Sequence, residues 1–250
     1  MKVLAVIPAR FASTRLPGKP LADIHGKPMI QWVYERTSRA HGLSRVVVAT
    51  DDQRVFDVVA RFGGQVLMTS DQHESGTDRV AEVAEQIEAD IYVNVQGDEP
   101  LIQPVVIEKA VELVSSGKFQ MATVMSPLRQ KEELSNPSVV KVVADHQGRA
   151  LYFSRFPIPY SRGTLPGPGE SFACRRHIGL YVYSRETLLQ LRSLPSSPLE
   201  QGEMLEQLRA LEAGIAIGIA EVNFTSIGVD TPEDLVKVRA ILAEKSSVEI

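Results

Sequence analysis

The chain has 250 residues, of which 44% are hydrophobic and 23% charged, with a formal net charge of −4 at pH 7. That length can bury a sizeable core in one large domain or two small ones, and the composition is ordinary for a soluble globular protein. The acidic balance argues against a general nucleic-acid binder, the single cysteine Cys174 rules out a disulfide framework or thiolate metal cluster, and no apolar run approaches the roughly 18 residues of a membrane span.

Val3–Ile7 is a wholly apolar run, the pattern of a strand buried on both faces. It is too short for a signal-peptide core, so a cytoplasmic protein is expected. The stretch that follows is Pro8-Ala9-Arg10-Phe11-Ala12-Ser13-Thr14-Arg15-Leu16-Pro17-Gly18-Lys19-Pro20. Within residues 1–27, Lys2, Arg10, Arg15, Lys19 and Lys27 stand against one acid, Asp23. Ligands of open α/β sheets bind beyond the carboxyl ends of the strands, and cations gathered there in an acidic chain suit a small anion. Arg10 and Arg15 supply forked donors for phosphate oxygens, and Pro17 and Pro20 stiffen the backbone around Lys19. A solvated basic loop is the competing account; the position at a strand end favours the ligand. Neither GxGxxG nor GxxxxGK[ST] is present, since Gly18-Lys19 is followed by Pro20 and position 13 is Ser.

Strand and helix signals then alternate. A helix is predicted from Pro28 to about Ala40, with Pro28 in its first turn and Met29, Ile30, Val33 and Thr37 at helical spacing. Arg45–Thr50 reads as a strand. Val55, Val58, Val59 and Phe62 form the stripe of a second helix closed by Gly63-Gly64, and Gln65–Thr69 is a third strand. A polar loop, Ser70–Arg79, leads into a helix that buries Val80, Val83, Ala84 and Ile87. Ile91–Gln96 is a strand stopped by Gly97-Asp98-Glu99-Pro100, and a helix over Pro104–Ser116 precedes a strand at Met121–Met125. Repeated strand–helix units predict a largely parallel sheet covered on both faces. The rhythm then changes. Val139–Ala144 and Ala150–Arg155 flank Asp145-His146-Gln147-Gly148 as an antiparallel hairpin, and residues 157–170 are a Pro/Gly-rich loop or flap. A strand at His177–Tyr183, a helix at Met204–Leu211 and a strand at Ile215–Val222 follow, and a last helix starts near Pro232 with Asp230 or Thr231 as its cap.

Two aspartates stand out. Asp98 follows a strand at a glycine that would let a ligand approach the backbone closely. Asp230 lies in Ile227-Gly228-Val229-Asp230-Thr231-Pro232-Glu233. Each could simply cap the next helix. If both face the crevice, the pair would suit Mg²⁺ bridging to phosphate oxygens, and spacing alone does not establish that they meet. Ser75-Gly76-Thr77-Asp78-Arg79 opens a helix, where backbone donors hold an anion or a base edge, and it is equally a sufficient capping sequence. His73 and His177 lack the paired spacing of a zinc site, and no nucleophile–histidine arrangement is evident.

The opening motif is similar to the signature of sugar-acid cytidylyltransferases. Six further blocks occur in order: His73-x-Ser75-Gly76-Thr77-Asp78-Arg79, Asn94–Pro100, Tyr152-Phe153-Ser154-Arg155, Arg176-His177-Ile178-Gly179-x-Tyr181, Met204–Arg209 and Gly228–Glu233. With these the chain resembles the branch of that family acting on 3-deoxy-manno-octulosonate. The resemblance covers nearly the whole chain; the Pro/Gly loop from Ser161 to Gly169 departs furthest from it.

The resemblance implies an α/β fold: a mostly parallel Rossmann-like nucleotidyltransferase sheet with helices on both faces and an antiparallel extension for dimerisation and sugar binding. Residues 1–250 would form one domain, with a hairpin and flap subdomain at about 137–200. It further implies transfer of CMP from CTP to the octulosonate with release of pyrophosphate, dependence on Mg²⁺, a homodimer, and a place in lipopolysaccharide biosynthesis. Carried over residue by residue, Arg10, Ser13, Arg15 and Lys19 hold the triphosphate, and Asp98 and Asp230 hold the metal. Arg10, Lys19, Asp98 and Asp230 are the implied catalytic set. Ser75, Gly76, Thr77 and Arg79, with the Ala9-Arg10 backbone and Gln96, contact the nucleoside. Gln96, Arg155, His177, Tyr181, Glu206 and Gln207 line the sugar-acid pocket, with Arg155 suited to the substrate carboxylate. Neither nucleic-acid binding nor membrane insertion is implied. Alternatives are a cytidylyltransferase for an 8-amino octulosonate or a nonulosonate, and a non-catalytic nucleotide-binding protein. Retention of Lys19, Asp98 and Asp230 argues against the latter, and the missing GxGxxG argues against a Rossmann dehydrogenase.

Overall fold

A computed structural model of the chain describes residues 1–12, 15–160, 162, 173–224 and 227–246. The chain divides into two units, Met1–Glu108 with Ser226–Ile250, and Lys109–Thr225. Among the described residues no helix is long and apolar enough to cross a membrane.

In the first unit, β1 (Val3–Pro8) is followed by a 3-10 turn at Lys19–Leu21 and a small hairpin, β2 (Asp23–Ile24) with β3 (Lys27–Pro28). Helix α1 (Met29–Thr37) then leads to β4 (Arg45–Thr50), α2 (Gln53–Arg61) to β5 (Val66–Met68), and α3 (Gly76–Gln86) to β6 (Ile91–Asn94). β1 pairs in parallel with β4 and with β6, and β4 with β5. Ala5 lies opposite Val46 on one side and Val93 on the other. Leu4, Ala5, Val6 and Ile7 are all buried, so the apolar run is a strand covered on both faces, as its sequence requires. Pro28 is the N-cap of α1 and not its first turn; its extended backbone still belongs to β3.

The terminal helix of this unit, Pro232–Ser246, starts where the sequence places it. Its cap is Thr231, whose Oγ1 accepts from the Asp234 amide at 3.3 Å while the Asp234 carboxylate accepts from the Thr231 amide at 3.1 Å. The Asp230 side chain is thereby left for other work. Val229, Leu235, Val238 and Leu242 pack with Ile24, Met29 and Leu101, and Leu16 joins the edge of this cluster.

Further along the chain come α4 (Pro104–Ser115), β7 (Met121–Ser126) and α5 (Lys131–Ser135). The expected hairpin is present as β8 (Lys141–Ala144) and β9 (Ala150–Ser154), paired antiparallel, with the Asp145 carboxylate accepting from the Gln147 and Arg149 amides across the turn. β10 (Arg175–Ser184) pairs antiparallel with β7 and β8, with a register shift between Ile178 and Tyr181. Helices α6 (Arg185–Ser193), α7 (Pro198–Glu203) and α8 (Gln207–Glu212) precede β11 (Ile217–Glu221), which runs parallel to β7. Sequence reasoning expects one helix over Met204–Leu211. In its place Met204 adopts a left-handed conformation (φ 53°) that ends α7, and α8 begins three residues later. Sequence reasoning also missed short α7, although Ser197-Pro198-x-Glu200 is a capping box with proline in the first turn. Residues 161 and 163–170 of the expected flap lie outside the described residues.

Candidate active site

Parallel pairing of β1 with β6 makes the loop after Pro8 and the loop after Asn94 leave the sheet at the same edge. The two loops touch. A Cβ on Gly97 would stand 2.5 Å from the Pro8 carbonyl oxygen, so only glycine permits this approach. A third segment joins them through the Val229 amide, which donates to the Asp98 carbonyl at 2.9 Å and sets Asp230 beside Asp98. The result is a cleft of about 360 Å³. Ala9, Arg10, Arg15 and Lys19 line it from the cation loop, Gln96, Gly97 and Asp98 from the second loop, and Gly76 and Asp230 complete the wall.

Lys19 sits between the two carboxylates. Its Nζ donates to Asp98 Oδ2 at 2.6 Å and to Asp230 Oδ1 at 3.1 Å, and Arg15 Nη2 is 3.2 Å from the same Asp230 oxygen. Burial by itself would lower the Lys19 pKa; the Asp98 carboxylate, and then Asp230, outweigh that and raise it. The ammonium is therefore charged at neutral pH. Arg10 contributes differently: its Nη2 is buried and has no hydrogen-bond partner among the described residues. A buried donor left unmade costs about 1–3 kcal/mol, and an anionic oxygen in the cleft would satisfy it.

The two aspartates that spacing could not join do meet, each within hydrogen-bonding reach of one ammonium. Among the described residues no group of three or more His, Cys, Asp or Glu side chains could hold a metal. Two carboxylates alone are the donor set of an ion that takes its remaining ligands from phosphate oxygens and water, which fits Mg²⁺.

The first turn of α3 divides. Gly76 faces the cleft. Ser75 forms a capping box with Asp78, with its Oγ accepting from the Asp78 amide at 3.1 Å. Thr77 and Arg79 are buried, and neither lines the cleft. Arg79 donates to Thr69 Oγ1 and, at 2.7 Å, to Asp51, tying α3 to the ends of β4 and β5. Ser13 lies outside the described residues.

In the second unit, His177 and Tyr181 share β10 with ring centroids 5.4 Å apart, and Phe153 meets His177 edge-on at 5.0 Å. His177 Nε2 is 2.9 Å from Thr123 Oγ1, and burial pushes its imidazole down to about 3, so the ring is neutral. Burial, then Tyr183 and Glu206, push the Tyr181 phenol well above its usual value, which brings Glu206 into the same neighbourhood. Gln207 is buried, and its Nε2 has no partner among the described residues. The Arg155 side chain is held by main-chain carbonyls. Its guanidinium donates to the carbonyls of Glu203 (2.8 Å), Pro137 (3.1 Å) and Met204 (3.1 Å), clamping the left-handed turn after α7. Glu203, which sequence reasoning missed, accepts from Ser154 Oγ at 2.5 Å and the Arg155 amide at 2.8 Å. No local pattern announces it, because its partners lie about 50 residues away.

Comparison with known proteins agrees with this architecture. A family model described as cytidylyltransferase matches residues 4–217. A 3-deoxy-manno-octulosonate cytidylyltransferase of Syntrophotalea carbinolica is 56% identical over 248 residues, covering 97% of this chain and 99% of that protein. One from Geobacter metallireducens is 54% identical over 245 residues, covering 95% of this chain and 96% of its own. Among solved structures, a CMP:2-keto-3-deoxy-manno-octonic acid synthetase complexed with CTP superposes with a TM-score of 0.92 at 48% identity, covering 98% of this chain and 100% of that one.

Proposed function

The chain belongs to the 3-deoxy-manno-octulosonate cytidylyltransferase family, and on that premise we propose that it transfers CMP from CTP to 3-deoxy-manno-octulosonate and releases pyrophosphate. One observation carries the reading at the level of the site. Arg10, Arg15 and Lys19 converge with Asp98 and Asp230 on a single cleft at the carboxyl ends of two parallel strands.

The anomeric hydroxyl of the sugar acid attacks the α-phosphorus, and pyrophosphate leaves, so catalysis consists of positioning and charge stabilisation. Arg10, with its unpartnered buried donor, and Arg15 grip phosphate oxygens of the leaving group. Lys19 holds the Asp98 and Asp230 carboxylates together before substrate enters and offers its remaining donor capacity to the phosphates. When bound by Asp98 and Asp230, Mg²⁺ would supply Lewis-acid polarisation of the phosphoryl oxygens. Gly76 and Gly97 leave backbone exposed in the cleft wall, where main-chain donors and acceptors can read the nucleoside. His177, Tyr181, Glu206 and Gln207 form the sugar-acid surface, with His177 acting as a neutral hydrogen-bonding group and not as a cation.

The protein works as a homodimer, a reading supported by the exposed apolar side chains Leu151, Phe156 and Tyr160 of the second unit. Its requirement for CTP supports a cytoplasmic location. Incubation of the purified protein with CTP, Mg²⁺ and 3-deoxy-manno-octulosonate should give the CMP-sugar and stoichiometric pyrophosphate. ATP, GTP and UTP should give little product, and an 8-amino octulosonate or a nonulosonate should be poorer acceptors. Equal turnover of another sugar acid would overturn the substrate assignment, and pyrophosphate release with no acceptor dependence would overturn the transfer itself. Light scattering on the eluting protein tests the dimer.

A further inference from the structure

Phe11 and Arg54 lie outside the substrate cleft, yet both bear on the loop that carries its cations. Phe11 closes that loop by two contacts with one residue. Its carbonyl accepts from the Gly18 amide at 3.2 Å, and its ring packs so tightly on Gly18 that a Cβ there would stand 3.2 Å from the ring. Gly18 is left-handed (φ 70°), and Lys19 begins the 3-10 turn directly after it. The Phe11 ring also carries the Arg54 guanidinium, whose carbon is 3.4 Å from the ring centroid.

Arg54 is itself held in place. Asp52 accepts from Arg54 Nε at 2.9 Å and Nη2 at 2.6 Å, and also from the Arg54 amide at 2.9 Å as the N-cap of α2. A fork anchored at both ends of the carboxylate has little rotational freedom left, so it presents a fixed plane to the ring. The chain of contacts runs from the β4–α2 turn through Asp52 and Arg54 to Phe11, then to Gly18 and Lys19.

We propose that Phe11 and Arg54 form a clasp that positions the cation loop, setting Arg15 and Lys19 for the phosphates of the nucleotide. Both are positioning residues, since neither lines the cleft. The proposal rests on the reading of this loop as a triphosphate cradle, and its consequence is specific. Loosening the clasp displaces the cations and leaves the sugar-binding surface of the second unit unchanged.

The test uses Phe11→Leu, which keeps an apolar side chain but removes the π face, and Arg54→Gln, which removes the cation from a side chain 62% exposed. Phe11→Tyr is the conservative control, and Arg54→Lys, which keeps the charge but loses the planar fork, should behave like Arg54→Gln. Inorganic tripolyphosphate binding by calorimetry is the primary readout, because it needs neither the base nor the sugar. Steady-state kinetics with CTP and the octulosonate is the second. Phe11→Leu and Arg54→Gln should each weaken tripolyphosphate binding and lower kcat/KM for CTP by about tenfold, a modest case of the loss that small misplacements cause. KM for the sugar acid should be unchanged, Phe11→Tyr should keep most of the wild-type affinity, and the double variant should be no worse than either single one.

Wild-type tripolyphosphate affinity in Arg54→Gln would overturn the clasp. So would strictly additive losses, or a rise in KM for both substrates that tracks a fall in Tm. If Phe11→Leu does not fold, the exposed Arg54 pair decides. If the wild-type protein binds tripolyphosphate but does not turn over the octulosonate, the functional assignment fails while the clasp is still judged by the binding series.

Discussion

Replacing Lys19 by methionine keeps the aliphatic stem and removes the charge that joins Asp98 to Asp230. The two carboxylates then face each other with only the exposed Arg15 guanidinium, 3.2 Å from Asp230, in partial compensation. Both accept from the same Nζ, at 2.6 and 3.1 Å, which keeps them within one short span of each other. Two unit charges roughly 5 Å apart repel by about 3 kcal/mol at an effective dielectric of about 20. The side chains of Asp98 and Asp230 are 29% and 46% exposed, so water and salt reduce this to about 1–2 kcal/mol. The expected result has two parts. Lys19→Met should lower Tm at low salt without divalent ions, and added Mg²⁺ should raise Tm more in the variant than in the wild type, because no ammonium competes for the carboxylates. Turnover should fall by about 10²–10³, the size of one preorganised charge-stabilising contact in a transition state. Differential scanning fluorimetry across a Mg²⁺ series gives the first and single-turnover quench the second. An identical Mg²⁺ response in both proteins would refute the ion-pair reasoning. Turnover within tenfold of wild type, with chemistry shown to be rate-limiting, would remove Lys19 from the transition state. The raised Lys19 pKa sets the pH window: its stabilising contribution is complete below the unfolded value of 10.5 and is lost only as pH rises through the higher folded value, so neutral-pH assays report it intact.

Asp98→Asn should abolish Mg²⁺-dependent turnover while the circular dichroism spectrum stays native; near-normal activity would sink the metal assignment. Gly97→Ala should destabilise the protein by about 2 kcal/mol or more in urea titrations, since its methyl group would press on the Pro8 carbonyl and part the two loops that form the cleft. A change below about 0.5 kcal/mol would mean that the loops yield without cost. His177 predicts acid sensitivity of the free protein. Its folded pKa of about 3 lies below the unfolded 6.5, so stability is constant above pH 6.5 and falls as pH drops toward 3. Between pH 7 and pH 5 the wild type should lose about 1–2 kcal/mol more than His177→Gln, and equal losses would place the ring in solvent.

Much of the first unit was legible residue by residue. Val3–Ile7, Arg45–Thr50 and Ile91–Asn94 are apolar runs that only a doubly covered parallel sheet can bury, and such a sheet dictates where its loops emerge. From there the basic stretch at 10–19 could be placed at a strand end and read as an anion site without any coordinates. The β8–β9 hairpin was equally legible, because Asp145 and Gly148 make its turn locally. The second unit was less so. α7 and α8 are separated by the left-handed Met204, a conformation no sequence pattern demands, and it is held there by Arg155 from β9's end. That same contact fixes the Arg155 guanidinium in a way its charge alone did not foretell.

Local chemistry, then, was written in the sequence: which segments are strands, which loop is cationic, which aspartates follow strand ends, and that Ser75 and Thr231 can cap. What the tertiary structure alone decided was company. Whether Asp98 meets Asp230 depends on a hydrogen bond between residues 131 positions apart, from the Val229 amide to the Asp98 carbonyl. Whether the Asp230 carboxylate is spent on the helix cap or left to face Asp98 depends on Thr231 taking the capping role. Short-range patterns encode conformation because helices and turns close over a few residues. A binding site is closed by contacts between loops far apart in the chain, and those exist only once the sheet has set its strands in order.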